Sequence, residues 1–110
     1  MRIDISITGI YAAHADLRRQ ADSRAWFTLG RFSSLIRQVV IEIQDAGSTG
    51  SFCCVNVRMK GAETPIVVDA VTKDPFDALV VCVERCRRTI ERRLHLTAIE
   101  RGRPLTMGAH

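Results

Sequence analysis

Several features that identify large protein classes are missing from this sequence. Lysine is almost absent, since only Lys60 and Lys73 are lysines among 16 basic residues, so the net charge of +4 rests on arginine. No apolar run approaches the roughly 20 residues that a membrane-spanning helix needs. The N-terminus has no basic start followed by a continuous apolar stretch, which is the pattern of a secretory signal peptide. We therefore expect a cytoplasmic protein without a membrane segment.

The motifs of common catalytic sites are missing as well. The sequence contains no G-x-G-x-x-G, no phosphate-binding G-x-x-x-x-G-K-S/T, no H-E-x-x-H and no G-x-S-x-G. His14 lies near Asp16, but the sequence signals no nucleophile beside them, and a general base needs a placed partner. A single histidine in a loop is more often a solvated surface residue. We expect no enzymatic activity, no catalytic residues and no cofactor.

Four cysteines raise the question of a metal site. Cys82 and Cys86 are one helical turn apart and could face one ion, whereas Cys53 and Cys54 are neighbours on a strand and point to opposite faces. The C-x₂-C spacing of zinc knuckles is absent. We expect no metal and no disulfide, and we interpret Cys53 and Cys86 as small core residues.

The 110 residues, 46% of them hydrophobic, suit one folded domain. Periodicity predicts strands within residues 1–9, 37–44, 52–60 and 65–72, a helix over 15–32, and a second helix from Asp74 and Pro75 to about residue 96. Because short turns join the later strands, we predict an α+β fold, a two-layer β-α-β-β-β-α sandwich. Its four-stranded sheet is expected to be antiparallel, with two helices packed on one face. The domain is expected to cover 1–97, and 98–110 to form a flexible C-terminal tail.

The first helix has an uneven apolar face. Trp26 and Phe27 lie off the stripe that its other apolar residues form. That stripe contains Leu17, Ala21, Ala25, Leu29 and Phe32.

Arginines of the second helix are the strongest functional signal. Residues 84–103 contain seven arginines and three acidic residues, so this segment carries the whole net charge. At 100° per residue, Arg85, Arg88 and Arg92 share the face opposite the apolar one. A guanidinium group matches the geometry of a phosphate, so this stripe predicts a nucleic-acid partner. The alternative is a solvated helix face without a ligand.

Other arginines extend this candidate interface. Arg93 flanks the stripe, and Arg24 and Arg31 lie on the first helix, while Glu84 is expected to pair with Arg88 four residues later and to neutralise part of the charge. The candidate RNA-binding residues are therefore Arg24, Arg31, Arg85, Arg88, Arg92 and Arg93. On the open face of the sheet only Phe52 is placed to stack a base, which favours recognition of shape and phosphates over bases.

Three stretches of the sequence carry a resemblance to a known family. They are Ile7–Gly9 (ITG) followed by Leu17-Arg18, then IRQVVIEI at residues 36–43 after Arg31-Phe32, and KDPFDALVVCVERCRRTIERRL at residues 73–94. In order and spacing they resemble the ribosome hibernation promoting factors, also called ribosome-associated inhibitors or sigma-54 modulation proteins. The likeness covers residues 1–96 and has the same element order.

This resemblance implies a function. Members of the family dock on the small ribosomal subunit, contact its 16S ribosomal RNA through basic residues of both helices, block the channel used by mRNA and tRNA, and silence translation under stress. By position, Arg24, Arg85, Arg88 and Arg92 match sites where the family is basic. The alternative is a divergent member that serves as a protein-interaction module without ribosome binding, a homodimer included. Its contact would be an apolar patch on the open sheet face, formed by Val40, Phe52, Val67 and Val71.

Overall fold

Two helices pack against a four-stranded sheet in the computed structural model, which describes the backbone of residues 1–100 and the side chains of residues 1–96. The order of elements is β-α-β-β-β-α, so the predicted α+β sandwich is confirmed. The elements are β1 (Arg2–Ile7), α1 (Ala15–Leu29), β2 (Ile36–Asp45), β3 (Ser51–Met59), β4 (Ile66–Thr72) and α2 (Pro75–Glu100). Neither helix of this described part is long and apolar enough to cross a membrane.

The sheet has the order β1-β2-β3-β4, and one of its pairings differs from the prediction. Strands β2, β3 and β4 form antiparallel hairpins, but β1 runs parallel to β2, with Ile5 opposite Ile41. The expectation of an all-antiparallel sheet was therefore wrong. The reason is α1, which returns the chain to the end of the sheet at which β1 began, so that β2 starts there and runs in the same direction.

Helix α1 begins with a cap that the sequence did not reveal. The Nδ1 atom of His14 accepts a hydrogen bond of 3.2 Å from the backbone N–H of Leu17, in the manner of a polar N-cap. The His14 ring also meets the edge of Phe76, with ring centroids 5.5 Å apart. His14 is thus a structural residue and not only the solvated loop residue that we expected. The helix continues past Leu29 into a short 3₁₀ turn, Gly30–Phe32.

Helix α2 begins where the sequence predicted. Asp74 accepts a hydrogen bond of 2.9 Å from the N–H of Phe76, and Pro75 takes the first helical position. The helix reaches Glu100, beyond its expected end near residue 96. Of the predicted tail, residues 101–110 lie outside the described residues.

One apolar core fills the space between the helices and the sheet. It contains the whole predicted stripe of the first helix and both cysteines interpreted as core residues, Cys53 and Cys86, and Cys82 lies within it as well. The Sγ of Cys82 donates to the carbonyl oxygen of Cys53 at 3.3 Å. The core's largest fully buried side chains are Leu17, Leu29, Ile36, Val39, Ile41, Ile43, Val55, Val57, Leu79, Val83 and Ile90.

Candidate nucleic-acid interface

Three arginines of α2 form a stripe beside the outer edge of the sheet. Arg85, Arg88 and Arg92 are exposed, and together with β4 they line an open cleft of about 400 Å³. Arg85 Nη1 donates a hydrogen bond of 3.1 Å to the backbone carbonyl of Asp69 on β4. We call these three residues the arginine stripe. They lie together, as their spacing of three and four residues predicted.

The arginine stripe lies near carboxylates, since the charge of Arg88 acts on Glu84, but in the described part of the chain it is not paired with them. Among the described residues, none of its three guanidinium groups forms an ion pair. Glu84, which we expected to pair with Arg88, instead binds Arg87 one position earlier. That prediction was wrong because the Arg87 guanidinium bridges two carboxylates, those of Glu84 and Glu91.

Arg31 belongs to a separate ionic network between the helices. It forms an ion pair with Glu91, which also accepts from Arg87 at 2.8 Å. Hydrogen bonding from Arg87 lowers the pKa of Glu84 below its usual value, and the same bond raises the pKa of Arg87. On the side of α2 that faces α1, the positive charges of two arginines are thus balanced by the negative charges of two glutamates. They are Arg31, Arg87, Glu84 and Glu91. The arginines of α1 and the arginine stripe do not form one unbroken basic surface.

The remaining two candidate arginines have different surroundings. Arg93 is half-buried and donates at 3.0 Å to the carbonyl of Thr64, between β3 and β4, so it ties α2 to that turn. Arg24 lies on α1 with its Cζ 5.9 Å from the ring centroid of Phe27. Three of the six predicted residues, Arg85, Arg88 and Arg92, therefore lie together. The other three, Arg24, Arg31 and Arg93, lie apart from them and have different contacts.

The open face of the sheet carries the predicted apolar residues, but in two groups. Val71 lies opposite Phe52 at one end, and Val67 and Val40 flank Asn56 two rows away. Between these groups lies a row in which Cys54 is flanked by carboxylates. That row is Ser6, Glu42, Cys54 and Asp69. The expected apolar patch is thus divided by acidic residues.

The thiols and carboxylates of residues 1–96 are not arranged as a metal centre. No group of three or more His, Cys, Asp or Glu residues within the described part is placed to hold an ion. Burial raises the pKa of the Cys86 thiol to about 12. Burial, with Glu42 and Asp69 beside it, raises the pKa of the Cys54 thiol as well. A raised pKa opposes the thiolate form that metals bind, so Cys86 and Cys54 are poor metal ligands, whereas the hydrogen bond with Cys53 lowers the pKa of Cys82.

One exposed feature was not included among the predicted site residues. Phe27 is 83% exposed and Trp26 is 47% exposed on α1. Their position off the apolar stripe was visible in the sequence and could have identified them. An aromatic residue that does not face the core is exposed and can contact a partner.

Comparisons with known proteins establish the fold. No protein-family model matches the chain, and no curated protein matches it. A solved ribosomal subunit interface protein from Coxiella burnetii superposes with a TM-score of 0.70 at 15% identity, over 86% of this chain and 99% of that one. The N-terminal domain of Thermus thermophilus Protein Y gives a TM-score of 0.67 at 16% identity, over 84% and 98%. The resemblance to the hibernation factors is therefore confirmed at the level of the fold.

Proposed function

We propose that this chain is a ribosome-associated inhibitor of translation, a hibernation factor that binds the small ribosomal subunit. The observation that carries the proposal is the arginine stripe, three exposed guanidinium groups on one flank of α2 that form no ion pair with any side chain of residues 1–96. The fold supports it, because a protein described as a ribosomal subunit interface protein has the same architecture over nearly its whole length. The protein acts in the cytoplasm, under stress, by binding and without catalysis.

The proposed mechanism is steric. Phosphates of the 16S ribosomal RNA bind Arg85, Arg88 and Arg92, whose planar forks each match two phosphate oxygens. Binding releases counterions from the RNA, so affinity depends steeply on salt. The apolar side of α2 packs against β3 and β4, which holds the arginine stripe rigid. The bound domain then occupies the channel through which mRNA and tRNA pass.

Occlusion is testable on purified small subunits. The protein should cosediment with them at low salt and should prevent the later binding of labelled mRNA and tRNA in a filter assay. Arg85→Glu/Arg88→Glu/Arg92→Glu should lose both effects. If the triple variant still binds and still excludes mRNA, the arginine stripe is not the contact.

A matched control uses three arginines at the other side of the molecule. Arg2 and Arg19 pair with nearby aspartates, and Arg18 donates to a carbonyl of β1. Changing Arg2, Arg18 and Arg19 to Glu removes the same charge, but binding should persist. Equal loss in both triple variants would attribute binding to net charge alone.

A second candidate is a protein-interaction module that uses the open sheet face. The observation in its favour is that Val67 and Val71 of the edge strand are 56% and 54% exposed. In this version the chain forms a homodimer and does not bind ribosomes. Light scattering distinguishes the two candidates, since a monomer at micromolar concentration that also cosediments with ribosomes excludes the second.

A further inference from the structure

Phe27 is the large apolar side chain with the greatest exposure in the described part of the chain, at 83%. The residues of α1 that face the core are others, namely Leu17, Ala21, Ala25 and Leu29. Phe27 therefore contributes nothing to the packing of the fold. An aromatic ring held in water by a rigid helix is available to a ligand.

The ring forms one wall of a shallow site. Gln20, Ser23, Arg24 and Phe27 follow one another at spacings of three, one and three residues, which places them on one face of α1. They line an open depression of about 270 Å³. This is smaller than the roughly 300 Å³ at which pockets for drug-sized ligands begin, and it suits one small planar group.

The polar groups of the site indicate which planar group fits. Arg24 lies with its Cζ 5.9 Å from the Phe27 ring centroid and has no ion pair among the described residues. Gln20 offers an amide that both donates and accepts, and Ser23 offers a hydroxyl. A nucleobase presents a flat face to the ring and donors and acceptors at its edge, and its phosphate is a partner for Arg24. An apolar protein surface would bury Arg24 and Gln20 without partners, which is unfavourable.

We propose that this face of α1 binds one unpaired base of an RNA strand, which stacks on Phe27, is held at its edge by Gln20 and has its phosphate bound by Arg24. The inference rests on the proposed function in taking RNA as the partner, and it adds base contact to a mode of binding otherwise limited to phosphates. The α1 site is separate from the arginine stripe, because the stripe lies on the side of α2 beside β4 and the network of Arg31, Arg87, Glu84 and Glu91 lies on the side that faces α1. The sequence predicted Phe52 on the sheet as the one residue placed to stack a base, whereas Phe27, which forms the proposed site, lies in the helix layer.

The test uses a single-stranded RNA oligonucleotide that contains 2-aminopurine, a base whose fluorescence is quenched by stacking. The wild-type protein should quench it. Phe27→Leu keeps an apolar side chain but removes the aromatic face, so it should abolish the quenching and weaken RNA binding roughly 5- to 150-fold. Phe27→Tyr should restore both. Trp26→Leu, at the adjacent position but outside the site, is the matched control and should behave like wild type.

Several outcomes would overturn the inference. They are absence of quenching by the wild-type protein, unchanged quenching by Phe27→Leu, and equal loss in Trp26→Leu. If Phe27→Leu weakened binding to small subunits while the wild type quenched no RNA, Phe27 would contact a ribosomal protein and the base site would be wrong. Failure of the proposed function is seen separately, as failure of the wild-type chain to cosediment with small subunits. Phe27 and Trp26 are both exposed, so circular dichroism should show that Phe27→Leu, Phe27→Tyr and Trp26→Leu are all folded.

Discussion

Arg31 and Glu91 form an ion pair that connects the end of the first helical segment to α2 across 60 residues of sequence. Glu91 also accepts from Arg87, so one carboxylate holds two arginines between the helices. This contact engages Arg31, a predicted RNA-binding residue, in a partly exposed ionic network between the helices. It also places negative charge beside a surface that we propose binds phosphate.

Replacing Glu91 by Gln should therefore strengthen ribosome binding. The change releases Arg31 and Arg87 from a carboxylate, so binding to small subunits should tighten and its salt dependence should steepen. The free energy of unfolding should fall by less than about 1 kcal/mol, because ion pairs at partly exposed sites contribute little. Cosedimentation at several salt concentrations and thermal unfolding measure the two effects.

The control for this change is Asp16→Asn, which removes a carboxylate that pairs with Arg19 at the start of α1. It makes the same change in net charge, yet binding should stay near the wild-type value. If both variants tighten binding equally, the ion pair between Arg31 and Glu91 has no specific role.

Among the glycines of residues 1–100, Gly50 should be the least tolerant of substitution. Its φ of 110° is one that side chains rarely adopt, and a Cβ there would lie 2.2 Å from the carbonyl oxygen of Thr72. Gly50→Ala should destabilise the fold by about 3 kcal/mol or more, since a steric clash with backbone adds to conformational strain. Gly47 is the control, with φ of 67° and open space around its Cβ position, so Gly47→Ala should cost only about 1–2 kcal/mol. Urea unfolding compares them, and equal losses would contradict the clash.

The buried thiols should resist modification by a thiol reagent. Among the four cysteines, only Cys54 is not fully buried, so a thiol reagent should label it slowly in the native protein and label all four in denaturant. Rapid native labelling of Cys53, Cys82 or Cys86 would contradict the packing.

The pH effect follows from the raised pKa of Cys86. Burial raises the pKa of this thiol to about 12, whereas its ordinary value is near 9. Between these values the unfolded chain loses a proton that the folded chain keeps, so the free energy of unfolding should decrease as pH rises above about 9. Cys86→Ala should flatten this decrease in urea titrations at successive pH values. An equally steep decrease in the variant would exclude Cys86 as its source.

Most of the fold was predictable because it depends on local patterns. The alternation of Val39, Ile41 and Ile43 fixes which face of β2 is buried, and Asp74 with Pro75 fixes the start of α2. The direction of β1 was not predictable in this way, because two strands separated by a helix are paired by the path of the chain, not by their own pattern. The cap by His14 was missed because histidine is a rare choice at a position where Ser, Thr, Asp and Asn are preferred.

The candidate site was predictable in part for a similar reason. Helical spacing alone determines that Arg85, Arg88 and Arg92 lie together. The partners of Arg31 and Arg93 are distant in sequence, 60 and 29 residues away, so no local rule could assign them. The choice of Glu84 between Arg87 and Arg88 depended on a second carboxylate, Glu91, and therefore on a network and not on one pair.

The most direct test of the central claim is the salt dependence of binding to purified small ribosomal subunits. It compares the wild-type chain with Arg85→Gln/Arg88→Gln/Arg92→Gln. If the arginine stripe binds RNA phosphates, the plot of log affinity against log salt should be steep for the wild type and should lose about three units of slope in the variant. Equal slopes for the two proteins, or no binding by the wild type at low salt, would contradict the account.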